Sequence, residues 1–204
     1  MGMEGKMGSE IGSIPGVMIP EAEQDVLICL TAGSEFYSKA IRRVTHSSVN
    51  HAFIAYRSEE WGGWWATQTD ERGTVKVPVE NVKHEHIECY EFPDRDLKTA
   101  MPRVRDLVGE KYDWLGIGGF LLKLYAWNVF GRKIINPLHR KGDLFCSEMC
   151  ATFLQRVEGM YPWMMDLNPS GVAPGGSPHY LGTPSLQWEF KNRPENVRRV
   201  VAPW

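Results

Sequence analysis

Two hydrophobic periods interleave along the first two thirds of this chain. DVLICL (25–30) is a short β-branched and apolar run that predicts a buried strand. Gly33 and Ser34 break it, and Ser34 is placed to cap a helix. Phe36, Tyr37, Ala40, Ile41 and Val44 then recur at helical spacing, and Arg42 and Arg43 stand near the end, where cations suit the helix dipole. NHAFIAY (50–56) returns to a period of two, with His51, Phe53 and Ala55 on one face and Ala52, Ile54 and Tyr56 on the other. WWATQT predicts a third strand, with Trp64, Ala66 and Gln68 sharing a face. DERG (70–73) predicts a turn, and TVKVPV a fourth strand with Val75, Val77 and Val79 on one side. Pro78 marks that strand as an edge or a strand end. HEHIECYEF (84–92) predicts a fifth strand, closed by Pro93 and Asp94 and followed by a helix over 95–108.

The pattern then turns continuously apolar. YDWLGIGGFLLKLYAWNVFG (112–131) is interrupted by Gly116, Gly118, Gly119 and Lys123. A membrane span needs about 20 largely apolar residues. This segment is shorter and rich in glycine, so it predicts a buried or pocket-lining helix, with contact at a membrane surface as the alternative. RKIINPLHRKGD (132–143) is a basic loop, and Asp143 is a candidate N-cap for a helix over Cys146–Val157. From Gly159 the density of proline and glycine predicts mostly loop wrapped on the body. Residues 1–24 are rich in Gly, Met and Pro and lack an apolar signal core, which predicts a flexible leader. The remainder, 25–204, is expected to form a single domain, and the absence of a secretory pattern predicts a cytoplasmic protein.

Composition narrows the function classes. A formal net charge of -2 supplies no field that would draw the chain to nucleic acid. Four cysteines in 204 residues do not make a disulfide scaffold, so reduced thiols are expected. His84 and His86 with Cys89 have metal-like spacing, but they are too few for a closed zinc site, and neither a metal nor a cofactor is expected.

The chemistry concentrates in LFCSEMCATFL (144–154). Cys146 falls in the first turn of the predicted helix, where the positive end of the dipole favours a thiolate. Cys150 lies one turn further in, on a face with Phe153, Leu154 and Val157, and reads as core. A thiol nucleophile needs a base and the base needs an orienting group. Six histidines are available, and pattern alone does not single one out.

DVLICLTAGSEFYSKAIRRVTHSSVNHAFIAY (25–56), GEKYDWLGIGGFLL (109–122) and LFCSEMCATFL occur in the order found in the circularly permuted NlpC-like papain-fold families. Over residues 25–157 the chain resembles their YiiX/YebB-like group, related to the lecithin:retinol acyltransferase-like proteins. The resemblance implies an α+β, permuted papain-like fold with a central antiparallel sheet packed against helices. It implies Cys146 as nucleophile and His51 as general base, with the histidine preceding the cysteine. Many members carry Glu at the third position, and here the matching place falls on Gln68. Glutamine can accept a hydrogen bond from imidazole, but it does not stabilise imidazolium as a carboxylate does. On that ground Gln68→Glu is expected to raise activity.

The function implied is a cysteine hydrolase or acyltransferase acting on an amide or acyl bond in a peptide, cell-wall fragment or lipid-linked substrate. The alternative is a catalytically weak or inert module that binds lipid or glycan in the same cleft. Because the group includes phage-encoded members, a virion-associated structural protein is a third reading.

Overall fold

The computed structural model describes residues 19–33, 36–111, 114–132, 145–181 and 184–204. Six strands form one antiparallel sheet: β1 (Val26–Ala32), β2 (His51–Arg57), β3 (Trp64–Asp70), β4 (Gly73–Pro78), β5 (His86–Glu91) and β6 (Arg198–Val200). Their order across the sheet is β4-β3-β2-β1-β5-β6. The helices are α1 (Phe36–Thr45), α2 (Met101–Leu107), α3 (Trp114–Phe130), α4 (Cys146–Leu154), α5 (Pro162–Met165), α6 (Pro178–Leu181) and α7 (Leu186–Lys191). The chain is thus an α+β protein built on an antiparallel sheet.

Strict alternation gives the central strands two apolar faces. Ile28, Leu30, Ala52, Ile54 and Tyr90 meet Met149, Phe153 and Leu154 of α4, Val104 of α2, and Leu186 and Phe190 of α7. Leu27, Cys29, Phe53, Ala55, Ala66 and Cys89 pack on the opposite side with Val79 and Val82 of the β4–β5 connection. A fully buried Leu- or Phe-sized side chain contributes about 1.5–3 kcal/mol. The three large apolar side chains of α4 therefore hold that helix firmly on the sheet, and its first turn with it.

β4 is an edge strand that ends at Pro78, where the missing N–H costs no ladder bond. The helix expected over 95–108 begins as a 3-10 turn at Leu97–Ala100, with Asp96 capping Lys98, and continues as α2. α4 stops at Leu154, three residues short of the expected Val157, because residues 155–159 fold into turns that close on Gly159 at φ +69°. Asp143 and Ser34 lie outside the described residues. The residue preceding α4 is Phe145, which makes no side-chain cap bond.

The tail is more regular than its proline and glycine content suggests. It supplies α5, α6, α7 and the sixth strand. Within 1–24, residues 19–24 lie against the body. Pro20 accepts from the Val201 N–H at 2.8 Å, and the Gln24 side chain donates to the carbonyls of Phe92 and Arg95, each at 2.9 Å.

Among the described side chains of α3 the charge is inside and large apolar groups are outside. Its single charged residue, Lys123, is buried and donates to the Gly171 carbonyl at 3.3 Å. Leu122, Tyr125, Val129 and Phe130 point outward, each about half exposed or more. Among the described residues no helix is long and apolar enough to cross a membrane.

Candidate active site

The sheet opens at one end. β1 and β2 pair as far as Thr31↔His51, whereas β2–β3 pairing ends at Phe53↔Gln68. β3 runs on with β4 to Asp70↔Gly73. His51 and Ala52 are therefore bordered by β1 on one side and by a widening gap on the other. The first turn of α4 enters that gap. The Cys146 sulfur hydrogen-bonds the backbone of Ala52 and Ser147, and it also hydrogen-bonds the His51 ring.

Local bonds fix the position of this turn. The Ser147 hydroxyl donates to the Val172 carbonyl at 2.8 Å, and Met149 N–H closes the first helical bond on Phe145. The Thr69 hydroxyl contacts the Met149 sulfur at 3.4 Å, tying β3 to the same helix. The backbone N–H groups ahead of Met149 have no acceptor one turn earlier in the helix, as at any helix start.

His51 stands on the Phe53 face of β2, as strand alternation requires. Its Nε2 lies 3.2 Å from Gln68 Oε1, which leaves Nδ1 for the thiol. Gln68 reaches His51 because Trp64, Ala66 and Gln68 share the facing side of β3. Thr67 points to the opposite face, where it is fully buried. The structure thus brings Cys146, His51 and Gln68 together.

Burial works against charge on both members of the Cys146–His51 pair. Each is nevertheless favoured by the other's charge and by the hydrogen bond between them. The thiol lies below its ordinary value, helped further by the backbone bonds from Ala52 and Ser147. The imidazole lies above its ordinary value, helped by Gln68 and by the charge of Asp70. Opposed shifts of this kind enlarge the pH range in which a thiolate faces an imidazolium.

The other thiols are in different surroundings. Burial and the neighbouring Cys146 push Cys150 well up. Burial and Cys89 push Cys29 well up, and the Cys29 and Cys89 sulfurs lie 3.0 Å apart across the β1–β5 register.

Asp70 was missed in the sequence, where DERG reads only as a turn. Gln68 Nε2 donates to Asp70 Oδ2 at 3.2 Å. Arg72 clamps the same carboxylate from the turn, with backbone N at 2.9 Å and Nε at 3.2 Å from Oδ1, and Nη2 at 2.6 Å from Oδ2. The period-2 face that carries Gln68 also carries Asp70, which is the signal that could have found it.

The remaining histidines lie elsewhere. His84 Nδ1 contacts the Val82 carbonyl at 2.8 Å, and His86 Nε2 contacts Glu88 at 3.3 Å. Among the described residues no group of three or more His, Cys, Asp or Glu side chains is arranged to hold a metal ion. His139 lies outside the described residues, and the His179 carbonyl accepts from the Trp127 indole at 2.8 Å.

No family model matches this chain, and no curated protein matches it. Among solved structures it is similar to the crystal structure of metalloprotein yiiX from Escherichia coli O157:H7, DUF1105. The identity is 15%, 91% of each chain is covered and the TM-score is 0.47.

Proposed function

We propose that the protein is a cysteine hydrolase or acyltransferase of permuted papain-like (NlpC-like) architecture. Cys146 is the nucleophile, His51 the general base and Gln68 the residue that orients the base. One observation carries this reading: a thiol at the start of a sheet-packed helix is hydrogen-bonded to an imidazole whose far nitrogen is held by a side-chain amide. Roles and geometry define such sites, and the chain order of the residues does not.

In this mechanism the Cys146 sulfur attacks a carbonyl carbon while its proton passes to His51. The backbone N–H groups at the start of α4 face the developing oxyanion. The imidazolium then gives its proton to the departing amine or alcohol, leaving an acyl-thioester. Water or a second acceptor, deprotonated by His51, releases the acyl group and restores the thiol.

The bond is an amide or acyl ester in a peptide, a cell-wall fragment or a lipid-linked molecule. The outward apolar face of α3 supports the lipid-linked branch. A second reading, an inert module that binds in the same cleft, is favoured by the low exposure of Cys146, 6%.

Brief treatment with iodoacetamide at pH 7, followed by intact-mass analysis and mapping, separates the two. The active reading predicts that Cys146 is labelled at least about tenfold faster than Cys29, Cys89 or Cys150, because its thiol lies below the ordinary range and is paired with His51, whereas burial pushes Cys29 and Cys150 well up. His51→Ala should remove that advantage, and Cys146→Ala should abolish turnover of any ester or amide substrate found. Uniformly slow labelling would support the inert module, and preferential labelling of another cysteine would move the site.

A further inference from the structure

Glutamine is an incomplete third member for a Cys-His pair. Its amide can be turned either way, and only one orientation presents an acceptor to imidazole. Presented the other way, its NH2 would oppose the protonated ring nitrogen. It also carries no charge with which to favour imidazolium. Both deficiencies have an answer one residue pair further along β3.

We infer that Asp70, clamped by Arg72, is a positioning residue for the site: by accepting the Gln68 N–H it fixes the amide oxygen on His51, and it supplies from behind the negative charge that the third position lacks. This inference rests on the Cys146–His51 reading of the site.

The geometry closes from both ends. Arg72 occupies both carboxylate oxygens of Asp70 in a two-residue turn. A carboxylate accepts hydrogen bonds and has none to donate, so Gln68 must turn its nitrogen toward Asp70 and its oxygen toward His51. Gln68 Oε1 in turn requires a proton on Nε2, which leaves Nδ1 to take the thiol proton.

The turn is built to hold this arrangement. Gly73 adopts φ +100°, and a Cβ there would lie 2.5 Å from the Glu110 carbonyl oxygen. That carbonyl accepts from the Thr74 N–H at 2.8 Å, and the Thr74 carbonyl accepts from the Gly109 N–H at 2.9 Å. The start of β4, joined to Asp70 by this turn, is therefore locked against the loop after α2. Among the described residues, the titratable groups acting on His51 are Cys146 from α4 and Asp70 from β3, with Arg72 behind Asp70.

The test uses the full chain and three variants. Asp70→Ala removes the acceptor and the charge, Asp70→Asn keeps an acceptor and removes the charge, and Arg72→Ala releases the clamp. Near-UV circular dichroism checks that each variant is folded. Two readouts are taken: the pH dependence of Cys146 alkylation, and the His51 tautomer by nitrogen-15 NMR. The wild type is expected to hold its proton on Nε2. Asp70→Ala is expected to mix the tautomers, to lower the pH at which imidazolium is lost, and to slow Cys146 alkylation at pH 7 about tenfold. Asp70→Asn should have a smaller effect, and Arg72→Ala the smallest. In a Gln68→Ala background the tautomer effect of Asp70→Ala should vanish.

Unchanged tautomer and unchanged profile in folded Asp70→Ala and Asp70→Asn would overturn the inference while leaving the Cys146–His51 reading intact. Failure of Cys146 to label in the wild type would instead sink the functional reading, and the tautomer measurement would still decide whether Asp70 orients Gln68.

Discussion

At position 68 a single amide faces two partners of opposite demand. His51 lies on the oxygen side and Asp70 on the nitrogen side, at 3.2 Å each. This alters what a carboxylate at position 68 would do. Judged from the sequence, Gln68→Glu should strengthen the base. In the structure it would remove the donor that Asp70 uses and set two carboxylates in contact, so one of them would hold a proton. Gln68→Glu is therefore expected to leave Cys146 alkylation at pH 7 no faster than in the wild type. Gln68→Glu combined with Asp70→Asn should recover or exceed the wild-type rate, because the charge then sits beside the imidazole and an amide stands behind it. Gln68→Ala should slow alkylation several-fold without unfolding the chain. Rate–pH profiles of the three variants check this order. A single Gln68→Glu variant faster than the double variant would show that Asp70 does not act on position 68.

Elements with strict periodicity were legible in the sequence, and those defined by distant contacts were not. β1 follows from its continuous apolar run and β2 and β3 from alternation, and so does the face shared by His51 with Phe53 and Gln68 with Ala66. The Cys146–His51 contact joins two elements far apart in the chain, and only the resemblance suggested it. β6 and α7 were hidden because local propensity in a tail rich in proline and glycine is weak. They form through tertiary contacts, including the β5–β6 ladder and the bonds from Gln187 of α7 to Ser48 and Glu88. α3 was legible as apolar, but the direction of its faces was not. Expected to be buried or pocket-lining, it buries its lysine and exposes Leu122, Tyr125, Val129 and Phe130. In sequence it is followed by Arg132, Lys133, Arg140 and Lys141. An outward apolar stripe followed by cations suits an anionic lipid surface. The full chain should co-sediment with vesicles containing anionic lipid and bind weakly to neutral vesicles. Leu122→Ser with Val129→Ser should abolish the binding and leave Cys146 alkylation unchanged. If instead the wild type self-associates in light scattering and ignores vesicles, the stripe meets another copy of the chain.

Across the whole molecule, the last third of the chain holds the loop that leads into the strand carrying the base. A Cβ on Gly175 would lie 2.2 Å from the Ser47 hydroxyl and 2.5 Å from a Val49 methyl, and one on Gly176 would lie 2.7 Å from the Thr45 carbonyl oxygen. The tail thus presses against residues 45–49, just ahead of His51. Gln187 of α7 extends the grip, donating to the Ser48 hydroxyl at 2.7 Å and to Glu88 of β5 at 2.9 Å. Tyr90, Lys191 and His86 complete the shell around the Glu88 carboxylate at 2.6, 3.0 and 3.3 Å. Burial alone would raise the Glu88 pKa, but Gln187, Tyr90 and Lys191 outweigh it and hold it down at about 2. A depressed carboxylate contributes stability that is present above the ordinary glutamate value and is lost as pH falls through the folded value. That window runs from about 5 down to about 2 here, and the contribution is roughly 3 kcal/mol. Denaturant unfolding followed across this window should therefore show a steep loss of stability. Glu88→Gln should be less stable than the wild type at pH 7 and lose much of that slope. Because α7 holds Ser48 through the same Gln187, Glu88→Gln should also slow Cys146 alkylation at pH 7, although Glu88 touches neither Cys146 nor His51. A variant with an unchanged acid slope would assign the acid sensitivity to other carboxylates. Unchanged alkylation would show that the loop holds His51 without help from the tail.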